Sequence, residues 1–518
     1  MKKIISLLLA ISLVVGVNCF SASAKQDEQY STATFKMGDV NKDNSVDLVD
    51  CLNTINVLLN KTPNGFCYEY ADLNGDFEVN AKDVLSMRKL LAQREVEISN
   101  NVFSAPDKDI TNELFDLGIN NEFSWNNSES KYILSRNPYD MITHNDVVLV
   151  SGGNYDDNTG PVNIRGYSRF SDTPRLAGQL DSEQVNRFYK YDEMAFATSI
   201  DSRYWGAASI YVAKKNSFFL NTKANVLIED IHCYDMAYYN DSYFYAGSGV
   251  HYDSKYKNYS RKDVEMSKGI VYRFTGSDIT KATANDFKEV ELVNKNNEVI
   301  KYESTIQKYT TTTANPPFDY YITTGVPRIY DLFEIKGELF AFYYDPYTYL
   351  KNSKFDFAGL YKYDCEKDQF IYNTDYNFDG LVNLYKISSR NDGEKINHDF
   401  VFNNAHYFIA DDLYYTNDYK TYSNFSIPNY SAYFVKDVIV RNGEAFLLVT
   451  KQNASNKFTN YVLKTKDFKT FTPVLHFSSK AFARSFEYCS GAFFFGLGCY
   501  SPEYSTECGR IYRYIYYK

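Results

Sequence analysis

From about residue 120 onward the chain alternates short apolar runs with turn residues. Val148-Leu149-Val150 runs into Ser151-Gly152-Gly153, and Phe244-Tyr245-Ala246 runs into Gly247-Ser248-Gly249. Asn442-Gly443 precedes Ala445-Phe446-Leu447-Leu448-Val449, and Ser490-Gly491 precedes Ala492-Phe493-Phe494-Phe495. Runs this short, bounded by Gly and Asn, read as strands joined by hairpin turns. Two earlier stretches follow a helical period instead: Cys51, Leu52, Ile55, Leu58 and Leu59, then Val84, Met87, Leu90 and Leu91. Each predicts a helix with one apolar stripe, and two such helices can pack face to face. The first 24 residues have a third pattern. Lys2 and Lys3 precede an apolar run from Ile4 to Val17, and Ala22-Ser23-Ala24 supplies small residues for cleavage. This predicts a secretory signal over 1–24. Cys19 raises a lipoprotein alternative, which Gly16-Val17-Asn18 fits poorly. No later run is long enough to span a bilayer, so the mature chain is expected to be soluble and outside the cell.

The strand-rich part repeats. Tyr139-Asp140-Met141, Tyr234-Asp235-Met236 and Tyr330-Asp331-Leu332 are spaced by 95 and 96 residues, each ahead of a turn and an apolar strand. Half that spacing, about 48 residues, is the size of a four-stranded propeller blade. Candidate blade starts fall near 140, 188, 235, 331, 399, 437 and 485. The wide interval from 235 to 331 has room for an insertion or a further blade. An isolated hairpin unit cannot bury its own face, whereas a ring of blades buries both faces and leaves only short edges. The expectation is a propeller of about seven blades over 121–518, with six or eight open and an array of sandwiches as the rival fold. Residues 96–120 are polar and mixed, and read as a linker. A second motif repeats out of phase: Thr416-Asn417-Asp418-Tyr419-Lys420-Thr421 matches Thr465-Lys466-Asp467-Phe468-Lys469-Thr470, with Asn285-Asp286-Phe287-Lys288 as a degenerate copy. These turns weakly resemble the Asp boxes of sialidase-like propellers but lack their Gly and Trp. Such turns sit on blade rims, and a structural role is expected.

Composition supports the all-β reading. The chain has 49 Tyr and 38 Phe but 2 Trp, and Tyr and Phe favour strands. A net charge of -10 argues against a general nucleic-acid role, which needs clustered Lys and Arg. Seven cysteines follow the signal, namely Cys51, Cys67, Cys233, Cys365, Cys489, Cys499 and Cys508. Their odd number and irregular spacing make no disulfide framework. Cys499 and Cys508 could pair across a hairpin; buried small apolar residues are the expectation for most of the rest.

The most specific chemistry lies between residues 36 and 95. Asp39, Asn41, Asp43, Asp47 and Asp50 place oxygen side chains at positions 1, 3, 5, 9 and 12 of a loop. Asp72, Asn74, Asp76, Asn80 and Asp83 repeat the offsets 33 residues later. That is how an EF-hand-type loop builds an oxygen cage for a hard cation. Ser45 and Glu78 sit at position 7, where the ligand is a backbone carbonyl. Val46 and Val79 at position 8 are expected to touch between the loops. Position 6 needs a sharp, left-handed turn. Asn44 tolerates one, whereas Phe77 does so only with strain on the order of 1–2 kcal/mol. The second site is therefore expected to hold calcium more weakly than the first.

Two such loops, each ending in Asp at position 12 and each followed by one helix, resemble a type I dockerin. The resemblance implies two bound calcium ions, calcium-dependent folding and binding to a cohesin domain of a scaffoldin. It further implies that positions 10 and 11 help select the cohesin, here Leu48 and Val49 in one repeat and Ala81 and Lys82 in the other. The unlike pairs suggest one preferred binding orientation. Proteins of this architecture resemble components of cellulosomes, so the propeller is expected to bind or hydrolyse plant polysaccharide. A non-catalytic interaction or adhesion propeller is the alternative.

The body shows no specific catalytic constellation. It has no Gly-x-Ser-x-Gly and no His-Glu-x-x-His. The six His (144, 232, 251, 398, 406 and 476) read as turn or packing residues. Glycoside hydrolysis needs only two carboxylates about 5–10 Å apart, and sequence does not select them. Asp140, Asp156, Asp235 and Asp331 are the first candidates, although recurring Asp residues at equivalent blade positions more often cap turns. Arg165, Arg187, Arg328 and Arg484 fall near inner-strand positions. The segment from Ser151 to Pro161 reads as a loop at the ring mouth, with Gly247 to Asp253 as its counterpart.

Overall fold

The computed structural model describes residues 36–99, 102–120, 137–153, 162–200 without 181 and 183, 210–217 without 216, 233–247, 269–300, 328–344, 358–388, 398–454 without 411, 457–498 and 506–518, together with the backbone of 124–126, 131–133, 305–310 and 319–324. The predicted secretory signal, residue Asp156 and most of the loop from Ser151 to Pro161 lie outside them.

The chain folds as a small helical module followed by an all-β propeller. In the module, helices α1 (Leu48–Leu58) and α3 (Ala81–Leu91) pack together through Cys51, Thr54 and Met87. Both begin in a capping box. Asp47 and Asn80 are the N-caps, and Asp50 and Asp83 at N3 reach back to the cap amides. The same acidic residues that end each loop therefore start each helix. A four-residue helical turn, α2 (Tyr68–Ala71), leads into the second loop, where the sequence had suggested no helix.

The β-strands form consecutive antiparallel meanders. Their first strands are Met141–His144, Gln184–Tyr191, Cys233–Tyr239, Arg328–Ile335, His398–Phe402, Phe434–Arg441 and Phe482–Cys489. These first strands lie against those of neighbouring meanders and line the axis. Each candidate start read from the sequence falls on or next to one of them. The interval after 235 holds a hairpin, Thr305–Thr310 with Asp319–Thr324. The outer strand Phe287–Val293 pairs in parallel with Gln369–Tyr372 of the next meander, which covers both outer edges. Helix α4 (Asp379–Ser388) packs Leu381, Val382 and Leu384 beneath Phe340 and Phe408.

Residues 102–120 do not behave as a linker. Phe103 and Ile110 are fully buried. Strand Phe115–Ile119 pairs antiparallel with Arg510–Ile515 and becomes the outer strand of the last meander. The segment is polar in sequence, but its few apolar residues close the ring with a partner almost 400 positions away.

The Asp418 and Asp467 turns are alike atom by atom. Asp418 accepts from the amides of Lys420 and Thr421, and Asp467 from those of Lys469 and Thr470, at 2.8–2.9 Å. Tyr419 and Phe468 take left-handed backbones and bury their rings. Backbone hydrogen bonds hold both carboxyls low, at about 2. Each turn joins the third and fourth strands of its meander, and its hydrogen bonds give it a structural role. Among the described cysteines, five are free and four of these are buried. Cys508 is disulfide-bonded.

Candidate functional sites

The two acidic loops share one geometry. Asp39 accepts from the amides of Asp43 and Asn44, both at 3.1 Å. Asp72 accepts from those of Asp76 and Phe77, at 3.2 and 2.9 Å. Asp50 takes Val40 and Asn41, and Asp83 takes Leu73 and Asn74, at 2.9 and 3.3 Å in both loops. Asn41 and Asn74 each turn toward the Asp two residues on, Asp43 and Asp76. Position 6 is left-handed in both, with φ of 69° at Asn44 and 63° at Phe77. Burial raises the carboxyls of Asp39, Asp72 and Asp83, and neighbouring carboxylates add to the shift. Carboxylates gathered in a left-handed loop, with side-chain and backbone oxygens only, fit a calcium ion in donor type.

Beside the first loop lies an exposed apolar face: Leu48 at 65 %, Val49 at 50 % and Leu52 at 51 %. Ala81 and Lys82 are exposed at the matching corner of the second repeat. Lys82 lies 3.3 Å from Asp76.

The module is seated on the propeller. Glu69, 2 % exposed, pairs with Arg441 and accepts from the Tyr488 hydroxyl at 3.1 Å. Burial opposes the Glu69 charge, and the Arg441 guanidinium overcomes it, holding the carboxyl below its usual range. Arg169 lies 4.0 Å over the Tyr68 ring. The Gly65 amide donates to Asp146 at 2.6 Å. Phe103 sits at the centre, edge-on to Phe446, Tyr488 and Phe493. The Val79 amide donates to the carbonyl of Lys518. None of these partners was evident in sequence, because each contact joins residues far apart in the chain.

The propeller axis is filled with charged groups. Most first strands carry a bulge near their start, at Asn186, Tyr234, Tyr330, Lys436 and Arg484. The residue after the bulge is Asp in three of these strands, Asp235, Asp331 and Asp437, and Asp140 stands just before the first strand of another. Several of these Asp residues tie meanders together. Asp140 accepts from the Phe188 amide at 2.6 Å, Asp235 from Leu332 at 2.6 Å and Asp437 from Phe486 at 2.9 Å. The recurring Asp therefore bridges to the next meander rather than capping a turn. Among the described residues, Asp140, His398 and Asp437 form the one set of three metal-type side chains whose ligand atoms lie within 4.8 Å of one another.

Arg187 crosses the axis to Asp399 at 2.8 Å, and lies 3.9 Å from Asp235. Asp399 also meets His406 Nε2 at 2.9 Å. Burial opposes the Asp399 charge, but Arg187 and His406 outweigh it and hold the carboxyl well below its usual range. Asp331 is pushed well up by burial, then by Asp399 and Asp235, to which it donates a hydrogen bond. Tyr189 also donates to Asp235, at 2.6 Å. Arg187 and Asp399, 14 % and 13 % exposed, are the most open members. At the starts of the first strands, Tyr234 and Tyr330 stack at 4.8 Å, Arg328 meets the Tyr234 hydroxyl at 2.5 Å, and Arg484 lies 4.2 Å over Tyr139. Of the four arginines singled out in sequence, Arg187 joins the axial cluster, while Arg328 and Arg484 pack on Tyr234 and Tyr139. Arg165 lies in a third strand, paired with Val150 and Leu176.

Residues 37–100 match the family model of the dockerin type I domain. This segment is a dockerin type I domain; such domains bind calcium in general. No curated protein matches the chain. Among solved structures, the chain is similar to the GH43_1 enzyme from Xanthomonas citri complexed with xylose. The TM-score is 0.25 at 8 % identity, over 50 % of this chain and 75 % of that one. It is also similar to a polysaccharide lyase, PL25 ulvan lyase, with a TM-score of 0.38 at 11 % identity, over 77 % of this chain and 96 % of the other. At these scores neither likeness bears on the chemistry of the axis. No helix among the described residues is long and apolar enough to cross a membrane.

Proposed function

We propose that this is a secreted cellulosome component whose dockerin binds a scaffoldin cohesin in a calcium-dependent way, and whose propeller hydrolyses plant polysaccharide. The dockerin family match at 37–100, with its two acidic loops, carries the first half of this reading. Asp39, Asn41, Asp43, Ser45 and Asp50 would hold one calcium ion, and Asp72, Asn74, Asp76, Glu78 and Asp83 the other. When bound, calcium neutralises the gathered carboxylates and fixes the loops that start α1 and α3. Leu48 and Val49 form the main cohesin-facing patch, with Ala81 and Lys82 as the weaker, polar counterpart. Within this reading the sequence-based number of about seven blades is kept; it is supported by the seven first strands among the described residues and by Phe115–Ile119, which joins the last sheet. Two bounds of the sequence reading shift: the dockerin extends from 36 to about 99, and the propeller begins near 102.

One observation supports chemistry at the axis: burial and Arg187 drive two neighbouring carboxyls in opposite directions. Asp331, raised by burial and by the neighbouring carboxylates, suits the part of general acid, while Asp399, held low by Arg187 and His406, suits that of base or nucleophile. Arg187 orients Asp399, and the partly exposed Tyr139 and Tyr330 would offer ring faces to sugars. The test is reducing-end release from a panel of plant polysaccharides by the full chain and by Asp399→Asn. Activity lost in the variant, with its melting temperature retained, supports hydrolysis. Equal activity in both forms removes Asp399 from the mechanism.

A second reading, a non-catalytic adhesion propeller, is favoured by the bonds that Asp140, Asp235 and Asp437 make between meanders. Those bonds give the axial carboxylates a structural task. Polysaccharide binding without release of any product would select that reading.

A further inference from the structure

We infer that the second calcium loop is the clamp that fixes the dockerin to the propeller, so that calcium occupancy of that loop and closure of the last blade are thermodynamically coupled. The inference rests on the calcium reading above. The two loops are alike internally, but they stand in different surroundings. The first faces a cleft of about 1000 Å³, lined by Asn44, Ser45 and Val46 on one side and by Asn442, Glu444 and Lys464 on the other. The second is bonded directly to the end of the last blade. The Lys518 amide donates to the Phe77 carbonyl at 2.9 Å, and the Val79 amide donates to the Lys518 carbonyl at 3.0 Å. The Phe77 ring packs on Tyr516 at 5.6 Å and on Tyr517 at 5.8 Å. Tyr516 and Tyr517 in turn hold the amides of Ala105 and Phe103, in the segment that leads to the ring-closing strand.

This arrangement accounts for an aromatic residue at the position of greatest backbone strain. Position 6 favours Gly or Asn, and Phe77 occupies it with a φ of 63°. A strained backbone persists where the surroundings over-determine it. Here the surroundings are two tyrosine rings and a two-point backbone bond at positions 6 and 8, on either side of the position-7 carbonyl expected to face the ion. Whatever fixes Phe77 to Val79 for the propeller also fixes Glu78 for calcium. Coupling between sites is reciprocal: calcium in the second loop should tighten the 516–518 segment, and disruption of that segment should weaken the second site alone. By itself the strained loop would be the weaker site, as its sequence suggests; in the full chain the clamp would oppose that difference.

The test uses the full chain. Calcium titration by calorimetry should resolve two sites, and Lys518→Pro, which removes the donated amide, should weaken one of them about tenfold (~1.4 kcal/mol) while leaving the other unchanged. Tyr516→Ala should act on the same site. Hydrogen exchange supplies the reverse arm: Asp76→Ala should speed exchange at 510–518, and Asp43→Ala in the first loop should not. Equal weakening of both sites by Lys518→Pro, or exchange at 510–518 indifferent to Asp76→Ala, overturns the coupling. Absence of any calcium binding by the unmodified chain instead overturns the calcium reading on which the inference stands.

Discussion

Removing the Arg441 side chain is the sharpest structural perturbation available between the two modules. Glu69 is 2 % exposed; Arg441, the Tyr488 hydroxyl and the Cys67 thiol are its side-chain partners, and Lys42 adds a second positive charge nearby. In Arg441→Met the carboxylate keeps the phenol and thiol bonds and the Lys42 charge nearby, but loses its directly bonded cation in a site closed to water. Breaking a buried pair in this way is expected to cost about 3–5 kcal/mol. The double variant Glu69→Leu with Arg441→Met removes both charges and should recover most of that loss, because a buried pair replaced by apolar groups is often near neutral. Urea unfolding in calcium, followed through the tyrosine near-UV signal, measures all three differences. The Glu69 charge should also set a pH signature. Its carboxyl is held low in the folded state, so its stabilising contribution is present above the unfolded pKa of about 4.3 and lost as pH falls below it. The single variant should lose that dependence. A cost below about 1 kcal/mol for Arg441→Met, the value of an exposed pair, would refute the seating of the dockerin on the propeller.

Three further outcomes follow from other parts of the molecule. Glu487, pushed up to about 7 by burial, accepts the Thr143 and Tyr488 amides where the last meander meets the first. Its raised folded pKa contributes stability that is complete below about 4.3 and lost as pH rises through about 7; Glu487→Gln should flatten the melting temperature between pH 5 and 8. Asp437→Ala leaves the Phe486 and Val438 amides without their acceptor and should cost about 2–4 kcal/mol, measured by urea unfolding. Leu48→Glu with Val49→Glu, both on an exposed face, should abolish cohesin binding in a pull-down while leaving calcium titration unchanged.

The dockerin was legible because its chemistry is local. Oxygen ligands at fixed offsets and a left-handed position 6 are written within twelve residues, and Asn44 and Phe77 both take that backbone. The inner strands were legible for a similar reason: Tyr-Asp ahead of an apolar run marks each bulge at 234 and 330. The role of the Asp was not legible, since its acceptor bond reaches a neighbouring meander 48 to 97 residues away. Arg187 and Asp399 are 212 residues apart and meet only when the ring closes. Phe103 and Ile110 stand singly in a polar segment, with no periodicity to announce burial. The clamp at Lys518 uses backbone groups, which carry no sequence signal at all.

The most direct test of the account is calorimetric titration of the full chain with type I cohesins, first in calcium and then in EDTA. The account predicts tight binding of one cohesin per chain in calcium and none in EDTA, because the Leu48–Val49 face is ordered by the loops that hold the ion. Binding that survives EDTA unchanged, or no binding to any cohesin by a calcium-loaded chain, would contradict it.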